Sequence, residues 1–423
     1  MSGIRVVLAG LLIASARQDP SLDSLVEQLS DDRVERREAA VEAIARLGPD
    51  RLPELRKRLA NLDPEPKGRL ASAILRIEDS VRLLDYLPPY RPVSLDVVKM
   101  PARDALKELS DRTGLPINLS SCPPGREVTV KVENVPPLVA LTEVCKAAML
   151  GWQDRNPIDW RGRARWSAPT GIHIHEVVPY YYRPMAIQVV RHYRIQAQLS
   201  TVTEGSTPKK QLSLSVRPAP GVRPHSTGGV RLTEATDETG RDLLADLSVK
   251  GEGFSTLTIG RTSGGLIRTF PAQTSPQKLT RLKGSVTFRF PRGIRWVSFV
   301  DPADGLGKPQ DALGSRMSLV KYRREGILHQ VDLSITNLDG AGFRVRDVLS
   351  DLPFDYQEVE VVTASGERLW SNDCSGGGGG ATWQIQLNMK GSKDEAAKEI
   401  RIPWADSFVE DVVEFDLRDV VHQ

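Results

Sequence analysis

The sequence predicts a multidomain α+β chain: an N-terminal α-helical repeat pair, a small α+β domain, then two tandem antiparallel β-sandwiches. Three observations predict it. At 423 residues the chain exceeds one ordinary core and should divide into several domains. Apolar residues recur at helical spacing in the N-terminal part, whereas strict alternation dominates from residue 184 onward. Glycine and proline, 34 and 29 residues, favour turns and strands over helical bundles.

Composition narrows the function classes. With 57 Lys and Arg against 54 Asp and Glu, the net charge of +3 carries no bulk argument for nucleic-acid binding. Only 3 Cys and 6 His argue against a disulfide-stapled scaffold, a zinc ribbon or a haem-attachment protein. Residues 1–16 read as a secretory signal peptide. Arg5 precedes the apolar run Val6–Ile13, and Ala14-Ser15-Ala16 is a small-x-small end before the polar Arg17. The run is far shorter than the roughly 20 residues that span a bilayer, so a periplasmic or secreted protein is expected.

Residues 20–85 should hold four helices. Their apolar positions are Leu22, Leu25, Val26 and Leu29; Val34, Ala40, Ile44 and Leu47; Leu52, Leu55 and Leu59; and Leu70, Ile74 and Ile77. Gly48-Pro49 stops the second helix. The order helix, turn, helix, twice over, resembles a HEAT-type repeat pair, which implies an interaction surface.

Residues 92–178 should run strand, helix, strand, strand, helix, strand. Val93–Asp96, Leu115–Leu119, Val128–Val132 and Ile172–Ile174 are the strands. Pro101 opens one helix with Ala105, Leu106 and Leu109 inward, and Pro136-Pro137 opens the other, which ends at Gly151-Trp152. The run VSLDVVKMPARDALKELSDRTGLPINLS followed by VTVKVENVPPLVALTEVCKAAMLGW resembles the secretin and TonB short N-terminal (STN) domain. That resemblance implies two small helices on one face of a small sheet, an envelope address and protein–protein contacts. It brings no catalytic residue, and no secretin pore or barrel region follows.

Residues 184–303 and 304–423 are expected as two related immunoglobulin-like sandwiches. Leu212–Val216 echoes Val331–Ile335, and Val190–Tyr193 echoes Val320–Tyr322. Thr236–Leu243 echoes Val362–Leu369 around Gly240 and Gly366, and Val286–Phe290 echoes Val413–Leu417. One large sandwich is the alternative. Ser375–Gly380 should be a flexible hairpin connection.

No catalytic or metal constellation emerges, and no cofactor is expected. His173, His175 and Glu176 share a strand without a third nearby ligand to make a metal site. Asp301, Asp304 and Asp311 have turn chemistry, not calcium-loop spacing. Ser206–Lys209 and Ser275–Lys278 match S-x-x-K without the partner motifs of that hydrolase class. The best binding patch is Trp160, Arg161, Arg163, Arg165 and Trp166, where aromatic and guanidinium groups interleave. Cys122 and Cys145 are a candidate disulfide, although Cys145 is equally explained as a small core residue.

Two functions fit. The first is a non-catalytic envelope adaptor or scaffold with an envelope protein as its partner. The second is a secreted glycan or polymer binder using a sandwich face or the Trp160–Trp166 loop. Exposure of Trp296, Trp370, Trp383 or Trp404 favours the second, and burial of all four favours the first.

Overall fold

The computed structural model describes residues 21–87, 90–154, 172–176, 186–204, 207–219, 222, 224–244, 264–270, 276–302, 306, 308–312, 314–338, 354, 358–379 and 381–421. The fold is mixed α and β with several sheets. It divides into two compact units, the second beginning at Leu83.

The first unit is helical: α1 (Leu22–Gln28), α2 (Val34–Ala45), α3 (Leu52–Leu59) and α4 (Pro64–Tyr86), the last running past the boundary. The Ser21 hydroxyl accepts from the Ser24 N–H at 3.2 Å and caps α1. Gly48, three residues past the end of α2, has φ of 83°, a backbone conformation that glycine adopts at little steric cost. Leu25, Leu29, Ile44, Leu55, Leu70, Ile74 and Ile77, all at the predicted helical spacing, form its core.

The second unit opens with β1 (Val93–Pro101), α5 (Ala102–Thr113), β2 (Ile117–Asn118), β3 (Glu127–Val135), α6 (Pro137–Ala147), β4 (Leu150–Asp154) and β5 (Ile172–Glu176). The strands form two sheets, β1-β3 and β2-β5-β4. Gly151-Trp152 lies within β4 and pairs with Ile174-His175, so it builds a strand instead of ending the helix.

The β-rich remainder comprises β6 (Ala186–Val190), β7 (Tyr193–Glu204), β8 (Thr207–Pro218), β9 (Ser226–Asp237), β10 (Gly264–Thr269), β11 (Lys278–Pro291) and β12 (Ile294–Val300). It continues with β13 (Gln310–Ala312), β14 (Ser315–Glu325), β15 (Leu328–Asn337), β16 (Glu360–Thr363), β17 (Arg368–Gly379), β18 (Thr382–Lys390), β19 (Ala397–Ala405) and β20 (Phe408–Val421). Sheets β10-β8-β7-β6 and β20-β11-β9 bury their facing sides together. Their core is continuous with that of the small α+β domain, where the Arg194 guanidinium lies 3.9 Å from the Trp152 ring centroid. The other strands form one sheet, β12-β19-β16-β17-β18-β15-β14-β13. It folds over at β17, which pairs first with β16 and then, across a register shift between Ser371 and Asp373, with β18. Both halves contribute to one core, including Val297, Phe299, Leu333, Ile385, Ile402 and Trp404.

The boundary expected at 303/304 does not follow the strand pairing. The last strand, β20, pairs with β11, and β12 pairs with β19. Together these make one antiparallel ribbon in constant register. Lys278 faces Val421, Val286 faces Val413, Pro291 faces Phe408, Ile294 faces Ala405 and Val300 faces Glu399. At the crossing, the Arg292 N–H donates to the Ser407 carbonyl at 2.7 Å and the Asp406 N–H to the Gly293 carbonyl at 2.9 Å. A tight hairpin there would need residues with positive φ. Gly293 is not among the positive-φ glycines; each connection bends once, at Arg292 and at Asp406, and continues into the next strand without reversing.

The sequence echoes acquire a different meaning. Val286–Phe290 and Val413–Leu417 resemble each other as neighbours that bury the same face of one sheet. Val190–Tyr193 spans a hairpin turn, whereas Val320–Tyr322 lies inside β14. The glycine turns do correspond. Gly240 and Gly366 have φ of 84° and 85°, and Asp237–Arg241 and Thr363–Glu367 close with the same backbone bonds. The strand orders also correspond, β10-β8-β7-β6 with β18-β15-β14-β13 and β20-β11-β9 with β12-β19-β16. The outermost strand of each is exchanged: β20 follows the second set in sequence but completes the first.

Ser375–Gly379 is the second part of β17, not a connecting loop. A Cβ on Gly376 would lie 2.8 Å from the Gln384 carbonyl oxygen and 3.0 Å from the Trp383 indole nitrogen. The indole covers the glycine and takes the room a side chain would need.

Candidate binding face

The half-sheet β12-β19-β16-β17 turns one side to its core. Val297 and Phe299 of β12, Ile400, Ile402 and Trp404 of β19, Val361 of β16 and Leu369 of β17 are buried there. Strand side chains alternate, so the outer side carries Trp296 and Ser298, Glu399 and Arg401, Glu360, and Trp370. The register places Ser298, Arg401, Glu360 and Trp370 in one row across four strands, with Trp296 opposite Pro403 one step along. Trp296 is 51% exposed and Trp370 40% exposed. Trp383 and Trp404 are buried in the core, so the four tryptophans divide evenly.

The charges on this side of the half-sheet are matched. Arg401 meets Glu399 at 2.7 Å, and Arg368 meets Glu360 at 3.7 Å. The Arg401 hydrogen bond, aided by the Ser298 hydroxyl, holds the Glu399 carboxyl below its usual range against a smaller opposing effect of burial. The result is a charge-balanced face with an indole on its first and its fourth strand, in which Glu360 and Pro403 are buried.

The patch expected at Trp160, Arg161, Arg163, Arg165 and Trp166 lies outside the described residues. Cys122 and Cys145 are both buried in the core of the small domain and are free thiols in this structure. Burial raises the pKa of each. His173 is half-buried on β5. Among the described residues no cluster of His, Cys, Asp and Glu suits a metal ion. Asp311, expected in a turn, lies in β13 opposite Arg316, which holds its carboxylate through bonds of 2.7 and 3.0 Å.

Sequence reasoning missed a polar pair at the edge of the second sandwich's core, the buried His329 and the half-buried Tyr322. The Tyr322 hydroxyl accepts from the Ala397 N–H at 3.1 Å and lies 2.8 Å from His329 Nδ1. The hydroxyl and the imidazole thus satisfy each other, with the tautomer deciding which of them donates. Burial, then Arg324, pushes the His329 pKa down. His192 is shifted the same way by burial and by Arg191. A histidine held neutral in the fold contributes stability above its unfolded pKa of about 6.5 and loses it as pH falls toward the folded value. The paired carboxylates, such as Asp311 and Asp416, have lowered pKa values and act only in more acidic solution. The melting temperature should therefore fall between about pH 6.5 and pH 5, and less steeply in His329→Gln. Equal slopes by differential scanning calorimetry would contradict this assignment.

Comparisons with protein-family models, curated proteins and solved structures gave no match.

Proposed function

We propose that the chain is a non-catalytic, extracytoplasmic adaptor or scaffold that mediates protein–protein interaction. The observation that carries this reading is the β11–β12/β19–β20 ribbon. It joins two sandwiches through two paired connections that keep one register, and a scaffold needs its binding faces at fixed separation. The helical unit resembles a HEAT-type pair and the small domain resembles the secretin and TonB short N-terminal domain, both of them contact modules. No helix among the described residues is long and apolar enough to cross a membrane.

The test is affinity capture from envelope extract with two baits. One is the intact chain, and the other carries flexible insertions after Gly293 and after Asp406 that loosen the crossing. A polypeptide partner enriched by the first and reduced with the second is expected. No partner, or equal capture, counts against the scaffold. A second reading, binding of a glycan or other polymer, is favoured by the exposed indoles of Trp296 and Trp370.

A further inference from the structure

We propose that the outer side of the β12-β19-β16-β17 half-sheet binds an uncharged polysaccharide chain, laid across the strands between Trp296 and Trp370. This stands whether or not the chain is an adaptor. The same sandwich buries Trp383 and Trp404, whereas Trp296 and Trp370 keep a large part of their rings in water. Here two exposed indoles share one face. They sit on the first and fourth strands of the half-sheet, so they stand about 14 Å apart across it, offset along the strands. Several linked pyranose rings cover that span.

The face has the chemistry sugars use. The C–H face of a pyranose stacks on an indole, and its hydroxyls both donate and accept. Arg401 and the largely buried Glu360 lie in the row of Trp370, and their partners Glu399 and Arg368 lie in the next row, away from Trp296, so donors and acceptors flank the indoles. Because each guanidinium already has a carboxylate partner, the face offers no net charge to an anionic polymer. A protein partner fits less well, since it would have to desolvate both ion pairs at the centre of the contact. Strands joined by backbone bonds fix the spacing, so little ordering accompanies capture of an extended chain.

The experiment is retention of the full chain on insoluble cellulose and insoluble chitin, with heparin beads as the anionic comparison. Retention on at least one neutral polymer is expected, unchanged as salt rises from about 0.05 to about 0.5 M. The double variant Trp296→Ala/Trp370→Ala should bind about tenfold more weakly or worse. Its melting temperature should match the parent, and Trp296→Phe/Trp370→Phe should recover part of the loss. Failure to bind either neutral polymer overturns the proposal. So does full retention by the double alanine variant, salt-sensitive binding to heparin alone, or a polypeptide partner whose capture, unlike polysaccharide retention, needs the two tryptophans.

Discussion

Cut between residues 303 and 304, the chain should give two fragments, 184–303 and 304–423, neither of which folds alone. The nested segment 294–405 should fold by itself. The first fragment loses β20, and with it Val409, Val413, Phe415, Leu417 and Val420, all buried. Each such side chain contributes about 1.5–3 kcal/mol on burial, and the total is comparable to the 5–15 kcal/mol that holds an ordinary domain together. The loss also leaves the inner edge of β11 without a partner. The second fragment lacks β12 and its core residues Val297 and Phe299, while it carries β20 with nothing to pair. Segment 294–405 keeps every strand from β12 to β19 and the core they enclose. Amide dispersion in NMR spectra separates the cases. Mixing the two miscut fragments should restore a cooperative melt. A folded 184–303 fragment, or an unfolded 294–405 segment, would show that the ribbon is not what completes either sandwich.

The second large effect is expected at Asp411, which is 3% exposed on β20. Its carboxylate accepts from the Tyr193 hydroxyl at 2.8 Å and meets Arg191 at 2.6 Å, tying the exchanged strand to the β6–β7 turn. In Asp411→Ala, Arg191 is half-exposed and can turn to water. Tyr193 is fully buried, stacked 4.4 Å from the Phe288 ring, and cannot. Its stranded hydroxyl should cost about 1–3 kcal/mol. Adding Tyr193→Phe removes that hydroxyl, so the double variant should be less destabilised than the two single losses summed. Urea melts of the four proteins test it, and strict additivity would mean that Asp411 acts through some other contact.

Local order was legible in the sequence because it is written at short range. Leu70, Ile74 and Ile77 fall on one side of a helix by spacing alone, and the alternation of β8 and β11 marks strands. Gly240 and Gly366 mark turns because few other residues accept their φ. Partner choice was not legible. β20 is as good a neighbour for β19 by pattern as for β11, and only the paired crossing through Gly293 and Asp406 decides between them. The candidate face was hidden for a related reason. In Ile294–Val300 both alternating sets are apolar, one with Trp296 and Val300, the other with Val297 and Phe299. Period two alone does not say which is inside. The register against β19 buries the second set and leaves Trp296 out. Cys122 and Cys145 were read as candidate partners from their expected elements; the structure adds that they share one core.

The nested arrangement also sets an order of events during synthesis. Pairing Pro291 with Phe408 in an unfolded chain closes a loop of well over a hundred residues, and the entropy lost grows with that length. Once the inner sandwich has formed, Asp301 and Lys398 are already bonded at 2.9 Å, and the ribbon can zip outward from there with no further loop to close. On the ribosome β11 must therefore wait, its edge open, until the inner sandwich is complete and β20 has emerged. The interval is when this chain is most exposed to pairing with the wrong strand, including the β20 of another copy.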